Sequence, residues 1–214
     1  MTSISVGPVF GELLARRFHK FWTANGSPDS FTIVEIGAHD GALALDILDS
    51  LPALDPQFAK ATHYIISEPL TKRCLFLQDR LGERATIVSN PEHIQAEIGV
   101  LVANEVLDAL PVHLVRWSGS SWQEMFVGLE SEKLAWTIAP CSDSPLSLHL
   151  AKLPTDLPEG YTTEVCLELF PFLKELAATF EDTLLLLIDY GFERQEYYHP
   201  DRNEGTLQTY SRHQ

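Results

Sequence analysis

The spacing of apolar positions predicts strands and helices that follow one another along the chain. From Pro8 to Trp22, apolar residues recur at three- and four-residue steps, which is typical of an amphipathic helix. Further helical patterns begin at Ala42 and Thr71. Four short apolar runs predict buried strands at Phe31–Ile36, His63–Ser67, Ala85–Val88 and Gly99–Ala103. Strands that alternate with helices predict an α/β fold whose mostly parallel sheet has helices on both faces.

The pattern changes in the second half of the chain. Between Val112 and Ala139, apolar and polar residues alternate, which predicts an inserted β-hairpin or meander at about residues 112–139. A polar stretch over residues 140–160 follows, and a helical pattern then resumes over Val165–Phe180. The apolar run Thr183–Ile188 predicts a fifth parallel strand. We therefore expect a single domain over residues 1–214.

Composition narrows the classes of partner. The chain has 30 acidic and 15 basic residues and a formal net charge of −15, which repels phosphate backbones and argues against nucleic-acid binding. A basic protein or a small molecule is the expected partner. The longest apolar run, Leu184–Ile188, is too short to cross a bilayer, so we expect no membrane span. The three cysteines lack paired spacing, which suits a reducing compartment and argues against a zinc site.

Histidines and aromatic residues are further candidates for a functional site. The eight histidines show no close pair at ligand spacing, so we predict no metal site. Two interpretations remain open for an aromatic cluster near the C-terminus: it lines a substrate cleft, or it packs the tail onto the domain. That cluster consists of Tyr190, Phe192, Tyr197, Tyr198 and Tyr210.

The turn Glu35–Gly41 lies where the first strand gives way to a helix. Glycines there let a nucleotide-like ligand approach the backbone and the helix N-terminus, although many purely structural turns also carry two glycines. Glu68 follows the second strand, where a carboxylate can accept hydrogen bonds from both ribose hydroxyls. The turn lacks the third glycine of a dinucleotide site, which favours S-adenosylmethionine over a dinucleotide.

The sequence resembles a known family at this turn and in three longer runs. Glu35–Gly41 is similar to the Glu-x-Gly-x-Gly-x-Gly turn of class I methyltransferases. The longer runs resemble the MidA-type branch, and the most specific parts are Asn-Glu-x-x-Asp-Ala-Leu-Pro-Val and His-Pro-x-Arg-x-x-Gly-Thr-Leu. These runs are Gly7–Leu13, Ala103–His113, and Ile188–Gly191 with its sequel Tyr197–Leu207. The resemblance implies a Rossmann-like methyltransferase that uses S-adenosylmethionine.

The resemblance also implies roles for particular residues. Asn104 and Glu105 would be catalytic and face the transferred methyl group, and Glu105 could hold a guanidinium acceptor through two parallel hydrogen bonds. The alternative is that Asn104 caps the helix that follows it. The implied cofactor-binding residues are Glu35, Gly37, Ala38, Gly41, Glu68 and Asn104.

One departure from the family pattern bears on function. His39 replaces the middle glycine of the turn, so an imidazole stands where the backbone should meet the ligand. A side chain turned outward would leave the site usable. The alternative functions are a non-catalytic binding or assembly protein that retains the methyltransferase fold, and a nicotinamide oxidoreductase.

The resemblance also leads us to expect a particular kind of substrate and a methyltransferase fold that is incomplete at its C-terminal end. The mitochondrial relatives are arginine methyltransferases needed for assembly of respiratory complex I. We therefore expect a protein substrate, with arginine in a respiratory or other redox complex as the favoured target. The location would be cytoplasmic in a bacterium and the mitochondrial matrix in a eukaryote. Class I methyltransferases end with an antiparallel strand pair after the fifth strand, so we expect the C-terminal strands to be missing. An exposed fifth strand would allow a homodimer.

Overall fold

The computed structural model describes residues 7–141 and 144–208, which form two compact units. The first unit comprises the described residues up to Asp108 together with Phe172–Asp189. The second comprises Ala109–Pro171 together with the described residues from Tyr190 onward. The expectation of a single domain over the whole chain stays a prediction.

A five-stranded parallel sheet forms the centre of the first unit, with the strand order β3-β2-β1-β4-β9. The fold class predicted from the sequence is thereby confirmed. In the part of the chain that the structure describes, β9 pairs on one side only and forms an edge of this sheet. The strands are β1 Phe31–Ile36, β2 Thr62–Ser67, β3 Thr86–Val88, β4 Ala96–Asn104 and β9 Phe180–Ile188.

Helices cover both faces of the parallel sheet. Alternate residues of each strand point to opposite faces, so each strand contributes to both cores. On one face, Ile33 and Val100 pack against residues of α1, α2 and α4. On the other face, Val34 and Leu101 pack with Leu176 of α6. The helices concerned are α1 Val9–Ala24, α2 Ala42–Leu54, α3 Pro56–Ala61, α4 Thr71–Leu81 and α6 Leu169–Ala177.

The second unit contains a four-stranded antiparallel sheet with the order β7-β6-β5-β8. Its first three strands form the meander expected between Val112 and Ala139. Val115 and Val165 pack against α5 residues such as Leu146 in a separate core. The elements are β5 His113–Trp117, β6 Trp122–Glu130, β7 Lys133–Ala139, α5 Ser144–Leu150, β8 Thr162–Val165 and α7 Arg194–Tyr197.

Several predicted boundaries were wrong. The helix expected over Val165–Phe180 is shorter, because Thr162–Val165 pairs with β5 as β8 and Phe180 begins β9. Pro171 lies in the first turn of α6. Backbone N–H groups in the first turn have no acceptor within the helix, so a proline there removes no helical hydrogen bond. The polar stretch over residues 140–160 contains α5, and β4 and β9 each begin three residues before their predicted starts.

Candidate functional site

The carboxyl ends of β1, β2 and β4 bring three predicted site residues to one edge of the parallel sheet. Ile36 lies opposite Ser67 on one side and Ala103 on the other, so Gly37, Glu68 and Asn104 are the next residues at this edge. The Gly37 N–H donates to the Ser67 carbonyl oxygen at 3.1 Å. The strand order also reverses between β1 and β4, and ligands of open α/β sheets bind at such a point.

The turn after β1 has a backbone shape that favours glycine at two positions. Gly37 has φ +68° and Gly41 has φ +77°, which lie in the left-handed region. A Cβ on Gly37 would lie 3.2 Å from Cγ2 of Val106, and one on Gly41 would lie 3.0 Å from Cδ2 of Leu77. The Gly41 N–H donates to the carbonyl oxygen of the buried Ala38 at 2.7 Å. The turn is therefore tight, and no side chain projects from either glycine.

His39 adopts the shape of this turn without the family's glycine. Its φ is +49°, in the left-handed region, where histidine is more common than most residues with a side chain. The imidazole is 79% exposed, and its Nδ1 lies 3.8 Å from Oδ1 of Asp40. The ring is therefore exposed to solvent and is not packed inside the turn.

Asp40 fixes the start of α2, a role that the sequence analysis missed. Its Oδ1 accepts a hydrogen bond from the Ala42 N–H at 3.1 Å, and its Oδ2 accepts one from Arg80 Nη1 at 3.2 Å. Partial burial raises the pKa of Asp40, but the Ala42 N–H and the charge of Arg80 outweigh it, and the pKa lies below its usual value. An ionised Asp40 thus caps the helix next to the glycine turn.

Glu35 is only 3% exposed and lies on β1, directly before the turn. Its Oε2 accepts a hydrogen bond from the Tyr64 hydroxyl of β2 at 2.7 Å. Burial raises the pKa of Glu35 to about 7. Glu35 is therefore engaged inside the protein, and its expected part in cofactor binding stays a prediction.

Glu68 directly follows β2 and is 2% exposed. Its Oε1 accepts a hydrogen bond from the Leu70 N–H at 3.0 Å, and its Oε2 lies 3.8 Å from Arg73 Nη1. An ionised carboxylate has about four acceptor positions. These contacts leave capacity for a further donor, such as a ribose hydroxyl.

Asn104 ends β4 and carries a buried acceptor without a partner. Its Oδ1 has no hydrogen-bond partner among the described residues, although it is shielded from solvent. Leaving such an atom unpaired costs about 1 to 3 kcal/mol. An unsatisfied carbonyl oxygen beside the glycine turn is the arrangement expected where a ligand brings an N–H or O–H donor.

The segment after Asn104 is held by the end of β9. Glu105 has φ +52°, and its N–H donates to the Ile188 carbonyl oxygen at 2.8 Å. A short 3-10 helix then spans Leu107–Ala109, and its Leu107 and Asp108 N–H groups donate to Oδ2 of Asp189 at 2.8 and 3.1 Å. The cap of this helix is Asp189, so the alternative that Asn104 caps it is wrong.

The second family-specific run is anchored within the second unit. Glu164 of β8 is 8% exposed and accepts hydrogen bonds from the Thr206 and Leu207 N–H groups at 2.7 and 2.8 Å. The Thr206 and Tyr197 hydroxyls donate to its other oxygen at 3.0 and 2.9 Å. The Gly-Thr-Leu part of this run therefore has a structural role at β8.

The aromatic cluster near the C-terminus does not form one continuous lining. Tyr190 is 71% exposed, whereas the guanidinium of Arg202 lies 3.7 Å from the ring centroid of Phe192. The rings of Tyr197 and Tyr198 pack edge to face, with their centroids 5.0 Å apart. Tyr210 lies outside the described residues. These contacts favour packing of the tail over a cleft lining.

The described residues form neither a cluster of metal ligands nor a membrane-spanning helix. Over residues 7–141 and 144–208, no three His, Cys, Asp or Glu side chains come together as metal ligands would. Among the described residues, no disulfide joins Cys74, Cys141 or Cys166. Within those residues, the structure contains no helix with the length and apolar character needed to span a bilayer.

The sheet order, the glycine turn and the acidic residue after β2 define a nucleotide-binding α/β protein of the methyltransferase type. A family described as "Putative S-adenosyl-L-methionine-dependent methyltransferase" matches residues 13–214. The chain belongs to this family, and the recognition made from the sequence is confirmed.

Two solved structures and two curated relatives are similar to the chain. A candidate methyl transferase from Burkholderia thailandensis with bound S-adenosylhomocysteine is 30% identical, with a TM-score of 0.79 over 96% of this chain and 52% of that one. A native structure from the same organism, also 30% identical, has a TM-score of 0.80 and covers 96% and 55%. The mitochondrial protein arginine methyltransferase NDUFAF7 of Mus musculus is 27% identical over 225 residues, 90% of this chain and 50% of the relative. Its Drosophila melanogaster homolog is 26% identical and covers 78% and 43%.

The chain thus spans about half the length of the relatives that it matches.

Proposed function

We propose that this chain carries the cofactor-binding part of an S-adenosylmethionine-dependent protein methyltransferase. The observation that carries the proposal is the buried, unpartnered Oδ1 of Asn104, which lies at the same sheet edge as the turn of Gly37. Family membership and the S-adenosylhomocysteine bound to the related Burkholderia protein support the same cofactor.

The residues at the sheet edge fit this cofactor. Gly37, Ala38 and Gly41 offer close backbone approach, and Glu68 retains acceptor capacity for ribose hydroxyls. Asn104 Oδ1 accepts from a donor of the bound cofactor, which would satisfy the orphaned atom. When bound, the cofactor supplies a methyl group on a sulfonium. The exposed imidazole of His39 is not packed inside the turn, which supports a usable cofactor site over a non-catalytic protein with a weakened site.

The acceptor side of the site is assigned to Glu105. Methyl transfer is an in-line displacement, for which orientation of the acceptor is the main contribution that a protein can make. A carboxylate can hold a planar guanidinium through two hydrogen bonds and aim one nitrogen at the methyl group. Glu105 follows Asn104 directly and is fixed at φ +52° by the bond to Ile188.

Arginine in a protein is the favoured acceptor. The curated relatives are named protein arginine methyltransferases, although at 26–27% identity. The net charge of −15 attracts a basic protein. We further propose a subunit of a respiratory or other redox complex as the substrate. The mitochondrial names of the relatives support a location in the matrix if the chain is eukaryotic.

The test of this function is methyl transfer to arginine. Proteins that copurify with the chain are incubated with isotopically labelled S-adenosylmethionine, and methylated residues are located by mass spectrometry. We expect arginine labelling by the wild type and none by Glu105→Gln, with unchanged cofactor affinity. Glu97→Gln is the matched control, since Glu97 is exposed at the other end of β4. Labelling confined to lysine or other residues, or equal labelling by Glu105→Gln, would contradict the assignment.

A further inference from the structure

Asp189 lies outside the predicted site, yet it contacts the segment that carries the proposed acceptor residue. It directly follows β9, whose Ile188 is paired with Asn104 of β4. One carboxylate oxygen of Asp189 accepts the N–H groups of both Leu107 and Asp108, at 2.8 and 3.1 Å. The side chain thereby joins the carboxyl end of β9 to the start of the 3-10 helix.

The segment between these anchors has a backbone conformation that needs support. Glu105 adopts φ +52°, which residues with a side chain rarely populate and which the surrounding structure must impose. Its own N–H is held by Ile188, and the residues two and three positions later are held by Asp189. Glu105 is thus held by two consecutive residues, namely Ile188 at the end of β9 and Asp189 directly after it.

The orientation of Asn104 and Glu105 depends on the same anchors. Asn104 Oδ1 is buried and has no hydrogen-bond partner in the described part of the chain, which indicates that the segment does not relax to satisfy it. A displacement of about 1 Å at a reacting group can cost about 100-fold in rate. A side chain that fixes this segment would therefore affect turnover without contacting the acceptor.

We infer that Asp189 is a positioning residue, which holds the Asn104–Glu105 segment in the geometry required for methyl transfer. This inference rests on the proposed function. Because an N–H bound to a carboxylate makes a stronger hydrogen bond than one bound to a neutral oxygen, the charge of Asp189 contributes to the rigidity of the segment. An amide oxygen in the same place retains an acceptor for both N–H groups and preserves most of the effect.

The test compares Asp189→Ala with Asp189→Asn in the full chain, and Asp182→Ala serves as the matched control. Asp182 is exposed at the opposite end of β9. The first readout is amide hydrogen exchange at Leu107 and Asp108. In Asp189→Ala we expect exchange about 10-fold faster or more, because two charge-assisted bonds are lost. In Asp189→Asn the change should be smaller, and in Asp182→Ala the exchange should equal that of the wild type.

The second readout is the kinetics of arginine methylation with S-adenosylmethionine at saturation. We expect kcat to fall about 10- to 100-fold in Asp189→Ala and to recover largely in Asp189→Asn. Affinity for S-adenosylhomocysteine, measured by calorimetry, should change less than kcat. A purely structural role would lower the melting temperature of both variants and leave kcat of the folded fraction unchanged.

The outcomes separate the inference from the proposed function. A wild type that binds S-adenosylhomocysteine and methylates arginine, with Asp189→Ala equal to it in exchange or in kcat, would overturn the inference alone. A wild type that binds no S-adenosylhomocysteine would overturn the proposed function and the inference with it.

Discussion

Gly37 of the β1 turn and Val106 of the segment after β4 approach each other so closely that a Cβ on Gly37 would lie 3.2 Å from Cγ2 of Val106. The two segments that carry the predicted cofactor site are therefore packed together. Val106 lies two residues after Asn104 in the chain. We therefore expect a change in the packing at Gly37 to shift the Asn104 amide.

The first prediction concerns Gly37→Ala. The substitution forces alanine to φ +68°, which costs about 1 to 2 kcal/mol, and pushes its methyl group against Val106. We expect a lower free energy of unfolding in urea and at least about 10-fold weaker binding of S-adenosylhomocysteine.

Gly26→Ala is the matched control for this change. Gly26 has a similar φ of +82°, but a Cβ there would meet nothing within 4 Å. It should share the conformational cost and leave binding unaltered. Equal loss of affinity in both variants would show that the contact with Val106 is irrelevant to the site.

The second prediction concerns the pH dependence caused by Glu35. The buried carboxyl keeps its proton up to about pH 7, whereas the ordinary pKa of a glutamate carboxyl is 4.5. Between these values the folded state binds more protons than the unfolded state, so the contribution of Glu35 to stability falls as the pH rises. Glu35→Gln removes this penalty and can still accept from the Tyr64 hydroxyl.

Urea unfolding at several pH values measures this effect. Relative to the wild type, Glu35→Gln should gain stability from pH 5 to pH 8, by on the order of 3 kcal/mol at most. At pH 4 the two proteins should differ little. A difference in the free energy of unfolding that does not change with pH would refute the raised pKa.

The third prediction concerns the anchoring of the tail by Glu164. Glu164→Ala leaves the Thr206 and Leu207 N–H groups and the Tyr197 hydroxyl without their carboxylate. We expect a loss of roughly 2 to 4 kcal/mol, since charge-assisted bonds to a buried carboxylate are removed together. Limited proteolysis should cut near Gly205 much faster than in the wild type.

Glu168→Ala provides the comparison, because Glu168 is an exposed carboxylate in the same unit. It should change neither the free energy of unfolding nor the cleavage rate. If Glu164→Ala is cut no faster than Glu168→Ala, the tail is held by other contacts.

Much of the first unit could be predicted from the sequence, because buried parallel strands are continuous apolar runs bounded by turns. The bounds of β1 match the prediction, and those of β2 and β3 differ by one residue. The strand β8 was missed because Val165 continued an apolar pattern that was assigned to the helix following it. Short strands of mixed polarity give little periodicity.

The contacts that fix the candidate site were harder to predict. Gly37 and Glu68 could be found because each directly follows a predicted strand, and Asn104 was implied by the family resemblance. The role of Asp189 depends on the pairing of β4 with β9, which are far apart in the chain. The bond between Tyr64 and Glu35 likewise depends on the register of two strands and leaves no local pattern.

The final prediction concerns Asn104, whose unpartnered Oδ1 carries the proposed function. Asn104→Ala removes the orphaned acceptor and should leave the fold intact, since this atom has no protein partner among the described residues. Loss of one hydrogen bond to the cofactor costs about 0.5 to 1.5 kcal/mol, which corresponds to up to about 10-fold in affinity.

Calorimetric titration of S-adenosylhomocysteine into the wild type and Asn104→Ala tests the account most directly, with NAD titrated as a comparison ligand. We predict that the wild type binds one equivalent of S-adenosylhomocysteine and no NAD, and that Asn104→Ala binds several-fold more weakly with an unchanged melting temperature. Equal affinity in the two proteins, or binding of NAD in place of S-adenosylhomocysteine, would contradict the account.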